Sequence, residues 1–146
     1  MSKVIIIGAG AMGAAFSLPC LDNNHDVNII GTHLEDNFVS ELKKSENFHP
    51  ALNVKIPKEV KIFKFEKFEE LLKSNVDLIV LGISSKGIEW VAQQLSNVYK
   101  NDELPKVLML TKGLSIYNNQ YELLADKLKR ILFKKGITKV DISAVG

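Results

Sequence analysis

Three glycines, Gly8, Gly10 and Gly13, follow a short apolar run near the start of the chain with the spacing Gly-x-Gly-x-x-Gly. The first allows a sharp turn after a strand, the second lets a pyrophosphate approach the backbone, and the third lets a helix pack closely on the sheet. The free amides of Gly10, Ala11 and Met12 would form a helix N-terminus, which favours an anion. Because a strand-like run precedes the glycines and helical spacing follows, we predict a dinucleotide site rather than a turn without a ligand.

The segment after the second predicted strand bears on which dinucleotide would bind. A strict NAD site places an acid about twenty positions beyond the motif, where it holds the ribose hydroxyls. That region contains Thr32 and His33, and the first acids, Glu35 and Asp36, are interpreted as the start of the next helix. A strict preference for NAD is therefore not supported. Thr32 and His33 could bind a 2′-phosphate or be turn residues only, and this segment contains no arginine to clamp such a group.

Two later turns carry further candidates. Gly82, Ser84 and Ser85 offer a bare backbone and two hydroxyls after the fourth strand, although Ser85 could equally cap the following helix. Lys112 follows the fifth strand, so its ammonium would lie at the carboxyl edge of the sheet, where it could bind a phosphate or polarise a carbonyl oxygen. A bare surface lysine is the alternative. His49 has no second histidine nearby and is interpreted as a solvated or packing residue, and no metal site is predicted.

The elements that would position these residues alternate between strands and helices. Apolar runs predict strands at 3–7, 26–30, 61–65, 77–81, 107–110 and 140–145. Helical spacing predicts helices at 11–21, 35–45, 67–73, 88–98 and 120–134, with a loop at 47–57. Such alternation is typical of parallel βαβ units with right-handed crossovers. We predict an α/β fold with a doubly wound parallel sheet of six main strands, the Rossmann type, with its ligand at the switch between strands one and four.

The composition limits which classes of protein and of binding partner are expected. The 146 residues are 46% hydrophobic and 25% charged, as expected of one globular domain. A net charge of +2, with no Lys/Arg run longer than two, gives no reason to expect a nucleic acid or a membrane as partner. Cys20 is the only cysteine, which we interpret as core filler in a reducing cytoplasm. We expect no signal peptide, because strand one begins at once, and no membrane span.

Five short segments follow one another in the order and spacing of a known family. They are Gly8–Gly13, Asn24-His25-Asp26-Val27, His49-Pro50 before Ile56-Pro57, Gly82-Ile83-Ser84-Ser85 and Leu110-Thr111-Lys112-Gly113-Leu114. Over essentially its whole length the chain resembles NAD(P)-dependent glycerol-3-phosphate dehydrogenase. The dinucleotide motif is shared by many families, whereas the Thr-Lys-Gly-Leu after strand five is far more particular.

The resemblance implies interconversion of dihydroxyacetone phosphate and glycerol 3-phosphate, with NAD or NADP as cofactor. By position, Ala11 and Met12 would touch the pyrophosphate and Thr32 would lie near the adenosine ribose. Lys112 would lie where cofactor and substrate meet, and Gly146 would begin a turn that contacts both. The resemblance also implies that the full-length enzyme is a homodimer that acts in glycerophospholipid metabolism, and the composition predicts a cytoplasmic location.

Length is the main departure from the family. Such enzymes are about twice as long, and their second, helical domain carries a further lysine as the catalytic residue. We therefore expect residues 1–146 to be a dinucleotide-binding domain that lacks this C-terminal domain, and the end directly after a strand favours a truncated form. Alone it should bind cofactor, turn over little substrate, and expose an apolar patch where the helical domain would cover it.

Two other interpretations stay open. The first is another reductase with a similar first domain, such as ketopantoate reductase or a 3-hydroxyacid dehydrogenase, for which Thr-Lys-Gly-Leu would have to coincide by chance. The second is a free-standing dinucleotide-binding module without chemistry. The short length favours the second, whereas Lys112 in a substrate position disfavours it.

Overall fold

Strands and helices alternate along most of the computed structural model, which describes residues 1–100 and 103–145. The strands are β1 (Lys3–Ile7), β2 (Asp26–Ile30), β3 (Phe48–His49), β4 (Val54–Lys55), β5 (Lys61–Phe63), β6 (Leu78–Leu81), β7 (Lys106–Met109), β8 (Leu114–Tyr117), β9 (Gln120–Leu123) and β10 (Ile142–Ala144). The helices are α1 (Ala11–Asp22), α2 (Asp36–Lys44), α3 (Phe68–Lys73), α4 (Ile88–Tyr99) and α5 (Leu124–Lys134). Short 3-10 turns precede α3 and α4 at Phe65–Lys67 and Ser85–Gly87.

Within these residues a six-stranded sheet has the order β10-β7-β6-β1-β2-β5, and every neighbouring pair is parallel. Counted by their place in the chain and read from β5, the strands run 3-2-1-4-5-6, the doubly wound order. The predicted fold class is therefore confirmed. The order reverses between β1 and β6, so the turns after β1, β2, β6 and β7 meet at one edge.

The central strands are buried on both faces because helices cover the sheet on both sides. Alternate residues of β1 point to opposite layers: Ile5 and Ile7 pack in one apolar cluster with residues of α4 and α5, and Val4 and Ile6 pack in the other with residues of α1 and α2. This double burial explains why β1 is a continuous apolar run rather than an alternating one.

Cys20 is buried near the end of α1, with 8% of its surface exposed. Burial raises the pKa of its thiol, which leaves the reactive thiolate disfavoured at neutral pH. The packing interpretation of this residue therefore agrees with its surroundings. Among the described residues, no helix combines the length and apolar character needed to cross a membrane.

The predicted loop at 47–57 is wrong in part, because it contains a small antiparallel hairpin. Phe48 pairs with Lys55 and His49 with Val54. Asn53, between these strands, has a φ of 54°, in the left-handed region that asparagine adopts more readily than most residues. Two-residue strands are too short to show alternation in a sequence, so their pairing was not detectable.

The predicted helix at 120–134 begins too early. Residues Gln120–Leu123 form β9, which pairs with β8, and α5 begins only at Leu124. Asn118 and Asn119 connect the strands with φ values of 50° and 61°, the left-handed pair that a tight hairpin turn requires. The predicted strands at 61–65 and 140–145 are also shorter, ending at Phe63 and spanning Ile142–Ala144.

Candidate functional site

A cavity of about 480 Å³ opens at the carboxyl edge of the sheet, among the turns that follow β1, β2 and β6. Its lining residues are Gly8, Gly10, Thr32, His33, Leu34, Glu35, Gly82, Ile83, Ser84, Lys86, Gly87 and Trp90. The cavity lies where the strand order reverses, which is where doubly wound folds bind their ligands. Several of the residues predicted to bind a dinucleotide, among them Gly8, Gly10 and Thr32, line this cavity.

Three glycines pack against one another at the back of this cavity. Gly8 has a φ of 110°, and a Cβ there would lie 2.4 Å from the carbonyl oxygen of Gly82. A Cβ on Gly13 would lie 2.5 Å from the carbonyl oxygen of Gly8, and one on Gly82 would lie 2.9 Å from the Cα of Gly13. Any side chain at these positions would push apart β1, β6 and the start of α1.

Gly10 differs from these glycines because no contact within the described residues requires it. Its φ of −67° and ψ of 179° suit any residue, and a Cβ there would meet no atom of residues 1–100 and 103–145 within 4 Å. Its backbone lines the cavity, so the space that a side chain would fill remains open. Among the described residues, the amides of Gly10, Ala11 and Met12 have no acceptor. Bare backbone and unpaired N–H groups at a helix N-terminus form an anion site, which fits a pyrophosphate.

Glu35 joins the glycine-rich turn to the turn after β2. Its Oε1 accepts hydrogen bonds from the backbone N–H of Ala9 at 3.2 Å and of Thr32 at 2.8 Å. The interpretation of Glu35 as only the start of a helix is therefore incomplete, since the residue precedes α2 while its side chain lines the cavity. Its position near the expected spacing of an acid beyond the motif was the available signal.

His49 contacts the same turn from outside the cavity. Its ring is 1% exposed, packs edge-on against Phe38, and places Nε2 3.0 Å from the carbonyl oxygen of Ala9. The histidine is thus a packing residue rather than a solvated one. Residue spacing in the sequence could not predict the contact between His49 and Ala9, because the two residues lie on separate loops.

Aromatic and basic side chains line the part of the cavity next to the turns after β2 and β6. The ring centroid of His33 lies 4.7 Å from that of Trp90, whose ring also packs on Phe65 and Phe68. Trp90 therefore packs against other aromatic rings and also lines the cavity, as does the exposed Lys86. Neither residue belongs to a motif that could have identified it.

The turn after β7 is tied to the turn after β6. The Thr111 hydroxyl is buried and donates a hydrogen bond to the carbonyl oxygen of Ile83 at 2.6 Å. Lys112 follows it at the sheet edge, exposed, and Gly113 has a φ of 135° that favours glycine. Lys112 is not among the residues that line the cavity.

Of the remaining residues predicted to bind the cofactor or the substrate, some line the cavity and others do not. Ser84 and Thr32 line the cavity, whereas Ser85 is exposed, does not line it, and begins the 3-10 turn before α4. Ser85 occupies the cap position of neither that turn nor α4, which are Ser84 and Gly87. Gly146 lies outside the described residues. In the part of the chain that the structure describes, no group of three or more His, Cys, Asp or Glu could hold a metal ion.

Comparison with known proteins identifies the family. The protein-family model described as NAD-dependent glycerol-3-phosphate dehydrogenase N-terminus matches residues 3–142. The NADP(+)-dependent glycerol-3-phosphate dehydrogenase of Archaeoglobus fulgidus is 34% identical over 116 residues, which are 80% of this chain and 33% of that protein. The glycerol-3-phosphate dehydrogenase [NAD(P)+] of Oceanobacillus iheyensis is 29% identical over 114 residues, which are 78% of this chain and 31% of that protein.

A solved structure shares the fold. The crystal structure of glycerol-3-phosphate dehydrogenase from Coxiella burnetii has a TM-score of 0.73 at 18% identity, covering 98% of this chain and 40% of that chain. The chain spans about a third of the length of the curated relatives it matches. The family match includes both the glycine-rich turn and the segment around Lys112. The chain belongs to the NAD-dependent glycerol-3-phosphate dehydrogenase N-terminus family.

Proposed function

We propose that this chain binds NAD or NADP in the cavity at the β1–β6 switch, as the cofactor-binding domain of an enzyme that interconverts dihydroxyacetone phosphate and glycerol 3-phosphate. The observation that carries the proposal is Gly10, whose missing side chain serves no packing need yet leaves the cavity open beside unpaired helix amides. Membership in the family supports both the cofactor and the reaction.

The chain's own residues would bind and orient the dinucleotide. The amides of Gly10, Ala11 and Met12 would donate to the pyrophosphate, aided by the partial positive charge at the start of α1. The adenosine ribose would lie towards Thr32 and His33, on the turn after β2. Once bound, the cofactor supplies or accepts the hydride.

Lys112 would serve the substrate side of the site. It lies at the same sheet edge as the cavity, and the hydrogen bond from Thr111 to Ile83 holds its turn against the turn after β6. An ammonium at this position would bind the substrate phosphate or polarise its carbonyl oxygen. We also propose that Gly146 contacts substrate, by position in the family resemblance.

The proposal extends to the whole protein. Because the curated relatives are about three times as long as the matched region, we propose that residues 1–146 act with a further, C-terminal helical domain that carries the catalytic residue. We propose a homodimer that acts in the cytoplasm in glycerophospholipid metabolism. Reduction of dihydroxyacetone phosphate by a protein of the relatives' length tests the activity, and its sedimentation tests the dimer.

Gly10→Val tests the cofactor site directly. The valine should leave folding unchanged, because the backbone conformation suits it and its Cβ meets nothing, but it should fill the space that the pyrophosphate needs. We expect calorimetric titration to show NADH or NADPH binding by the wild type and at least about a tenfold loss of affinity in the variant, equivalent to roughly 1.4 kcal/mol.

Ala51→Val is the matched control, since Ala51 is exposed in the β3–β4 turn and does not line the cavity. It should bind cofactor as the wild type does, and thermal unfolding should show that both variants fold. Equal affinity of Gly10→Val and the wild type would contradict the site. Cofactor binding together with an inactive full-length protein would instead favour a binding-only module.

A further inference from the structure

We propose that Glu35 and His49 are positioning residues for the cofactor, which hold the glycine-rich turn in its binding conformation from the two sides of Ala9. The proposal rests on the proposed function, because it concerns how the pyrophosphate amides are presented. Neither residue belongs to the glycine motif, and they approach Ala9 from sequence separations of 26 and 40 residues.

Glu35 holds the peptide that enters Ala9. The N–H of Ala9 donates to Glu35 Oε1 at 3.2 Å, and the N–H of Thr32 donates to the same oxygen at 2.8 Å. Hydrogen bonds to an ionised acceptor are stronger than those between neutral groups. One carboxylate oxygen therefore sets the spacing between the turn proposed for the pyrophosphate and the turn proposed for the adenosine ribose.

His49 holds the peptide that leaves Ala9. A carbonyl oxygen only accepts, so Nε2 carries the proton that it donates to the Ala9 carbonyl at 3.0 Å. In a planar trans peptide the C=O and the following N–H point in opposite directions. By fixing the Ala9 carbonyl, His49 orients the N–H of Gly10 so that it points away from the His49 ring. That N–H has no acceptor within residues 1–100 and 103–145.

Packing alone does not account for a histidine at this place. The ring is 1% exposed, and within the described part of the chain its Nδ1 is buried without a hydrogen-bond partner, which costs free energy. An apolar side chain of similar size would pack against Phe38 without that cost. The bond to Ala9 is what the imidazole adds, and the ring acts through Ala9 because it does not line the cavity.

The test compares His49→Leu with His49→Gln. Leucine packs but cannot donate, whereas the glutamine side-chain amide can replace Nε2 as the donor to Ala9. We expect His49→Leu to weaken NADH binding about fivefold, as for one hydrogen bond of roughly 1 kcal/mol, and His49→Gln to restore most of the affinity. In ¹H–¹⁵N NMR spectra without cofactor, the Gly10 amide resonance should shift or broaden in His49→Leu and return towards its wild-type position in His49→Gln.

Phe38→Leu is the control for packing, because Phe38 contacts the His49 ring but makes no bond to Ala9. It should leave both the Gly10 resonance and the NADH affinity close to wild type. If His49→Leu fails to fold, Glu35→Ala replaces it, since Glu35 is only half-buried, and it should disturb the Gly10 and Thr32 amides and weaken NADH at least about fivefold.

Two results would overturn the proposal. One is a folded His49→Leu with an unchanged Gly10 resonance, and the other is an equal loss of NADH affinity in His49→Leu and His49→Gln. Failure of the wild type to bind either NADH or NADPH would overturn the proposed function instead. The cofactor-free Gly10 resonance would still decide whether His49 positions the turn.

Discussion

At the scale of single residues, the cavity is shaped as much by missing side chains as by present ones. Gly8, Gly13 and Gly82 are required by contacts inside the protein, whereas the absence of a side chain at Gly10 only opens the cavity. Among the residues that line this space, Glu35 is the acidic one. A carboxylate beside a bound ribose can accept its hydroxyls but repels a 2′-phosphate.

Glu35→Gln should therefore change which dinucleotide is preferred. The glutamine oxygen can still accept from Ala9 and Thr32, so NADH affinity should change little, while loss of the negative charge should favour NADPH. We expect the ratio of NADPH to NADH affinity to rise about fivefold, roughly 1 kcal/mol for a partly exposed charge. Calorimetric titration with both cofactors measures this ratio.

Asp36→Asn is the matched control for that change. Asp36 is the next acid in the chain, but it accepts from the backbone N–H of Phe65 and does not line the cavity. Its variant should leave the ratio unchanged. If Glu35→Gln also leaves it unchanged, the 2′ position of the ribose does not lie near Glu35.

At the scale of elements, the β8–β9 hairpin is attached to α5 through polar groups. Arg130 of α5 donates two hydrogen bonds to Glu122, at 2.6 and 3.2 Å, and its guanidinium lies 3.7 Å from the ring centroid of Tyr117. Ser115 donates to the same carboxylate at 2.9 Å. These contacts between the hairpin and α5 depend on the charged carboxylate of Glu122. Protonation of Glu122 is therefore expected to weaken them and to loosen the hairpin.

Acid should selectively expose this hairpin. The hydrogen bonds from Arg130, with those from Ser115 and the nearby positive charges, lower the pKa of Glu122 below its ordinary value. A carboxyl group with a lowered pKa in the folded state stabilises that state above its unfolded pKa, and the contribution is lost as the pH falls through the folded value. The protection of the amides of residues 114–123 against hydrogen exchange, corrected for the pH dependence of intrinsic exchange, should therefore fall on acidification relative to that of the central sheet. In Glu122→Gln the hairpin amides should exchange faster at neutral pH and respond less to acid, and equal acid sensitivity in both proteins would contradict this role.

At the scale of the whole molecule, the same hairpin presents an apolar face to solvent. Leu114, Ile116, Tyr121 and Leu123 are 58–77% exposed, and the cross-strand pairs Leu114–Leu123 and Ile116–Tyr121 place them on one face. An exposed apolar patch was expected where a helical domain would cover the site. Contiguous apolar surface of this kind promotes association.

Ile116→Ser should weaken self-association of the chain. Sedimentation at increasing concentration should show association of the wild type that is at least about tenfold weaker in the variant. The melting temperature should change little, because Ile116 is 70% exposed. Val54→Ser, on the separate β3–β4 hairpin, is the control for loss of a single exposed apolar side chain. A wild type that stays monomeric at all concentrations would contradict the prediction.

The sequence by itself determined the parallel sheet and the place of the cavity. Long apolar runs such as β1 and β6 can be buried only between two layers, and the glycine-rich turn requires a strand before it and a helix after it, so local patterns are enough. The same reasoning failed at Leu123, whose spacing with Leu124, Leu128 and Leu132 fits a helix. Leu123 instead lies exposed on β9, because Asn118 and Asn119 form the tight turn of a hairpin.

Only the tertiary structure decided how the glycine-rich turn is held. The bonds of Glu35 and His49 to Ala9 join residues 26 and 40 positions apart, and each depends on the path of a separate loop over the sheet edge. Sequence periodicity reports which face of an element is buried, but it carries no information on which distant polar groups meet there. The shared contact of Glu35 and His49 with Ala9 therefore became visible only when the fold brought both side chains to one residue of the motif.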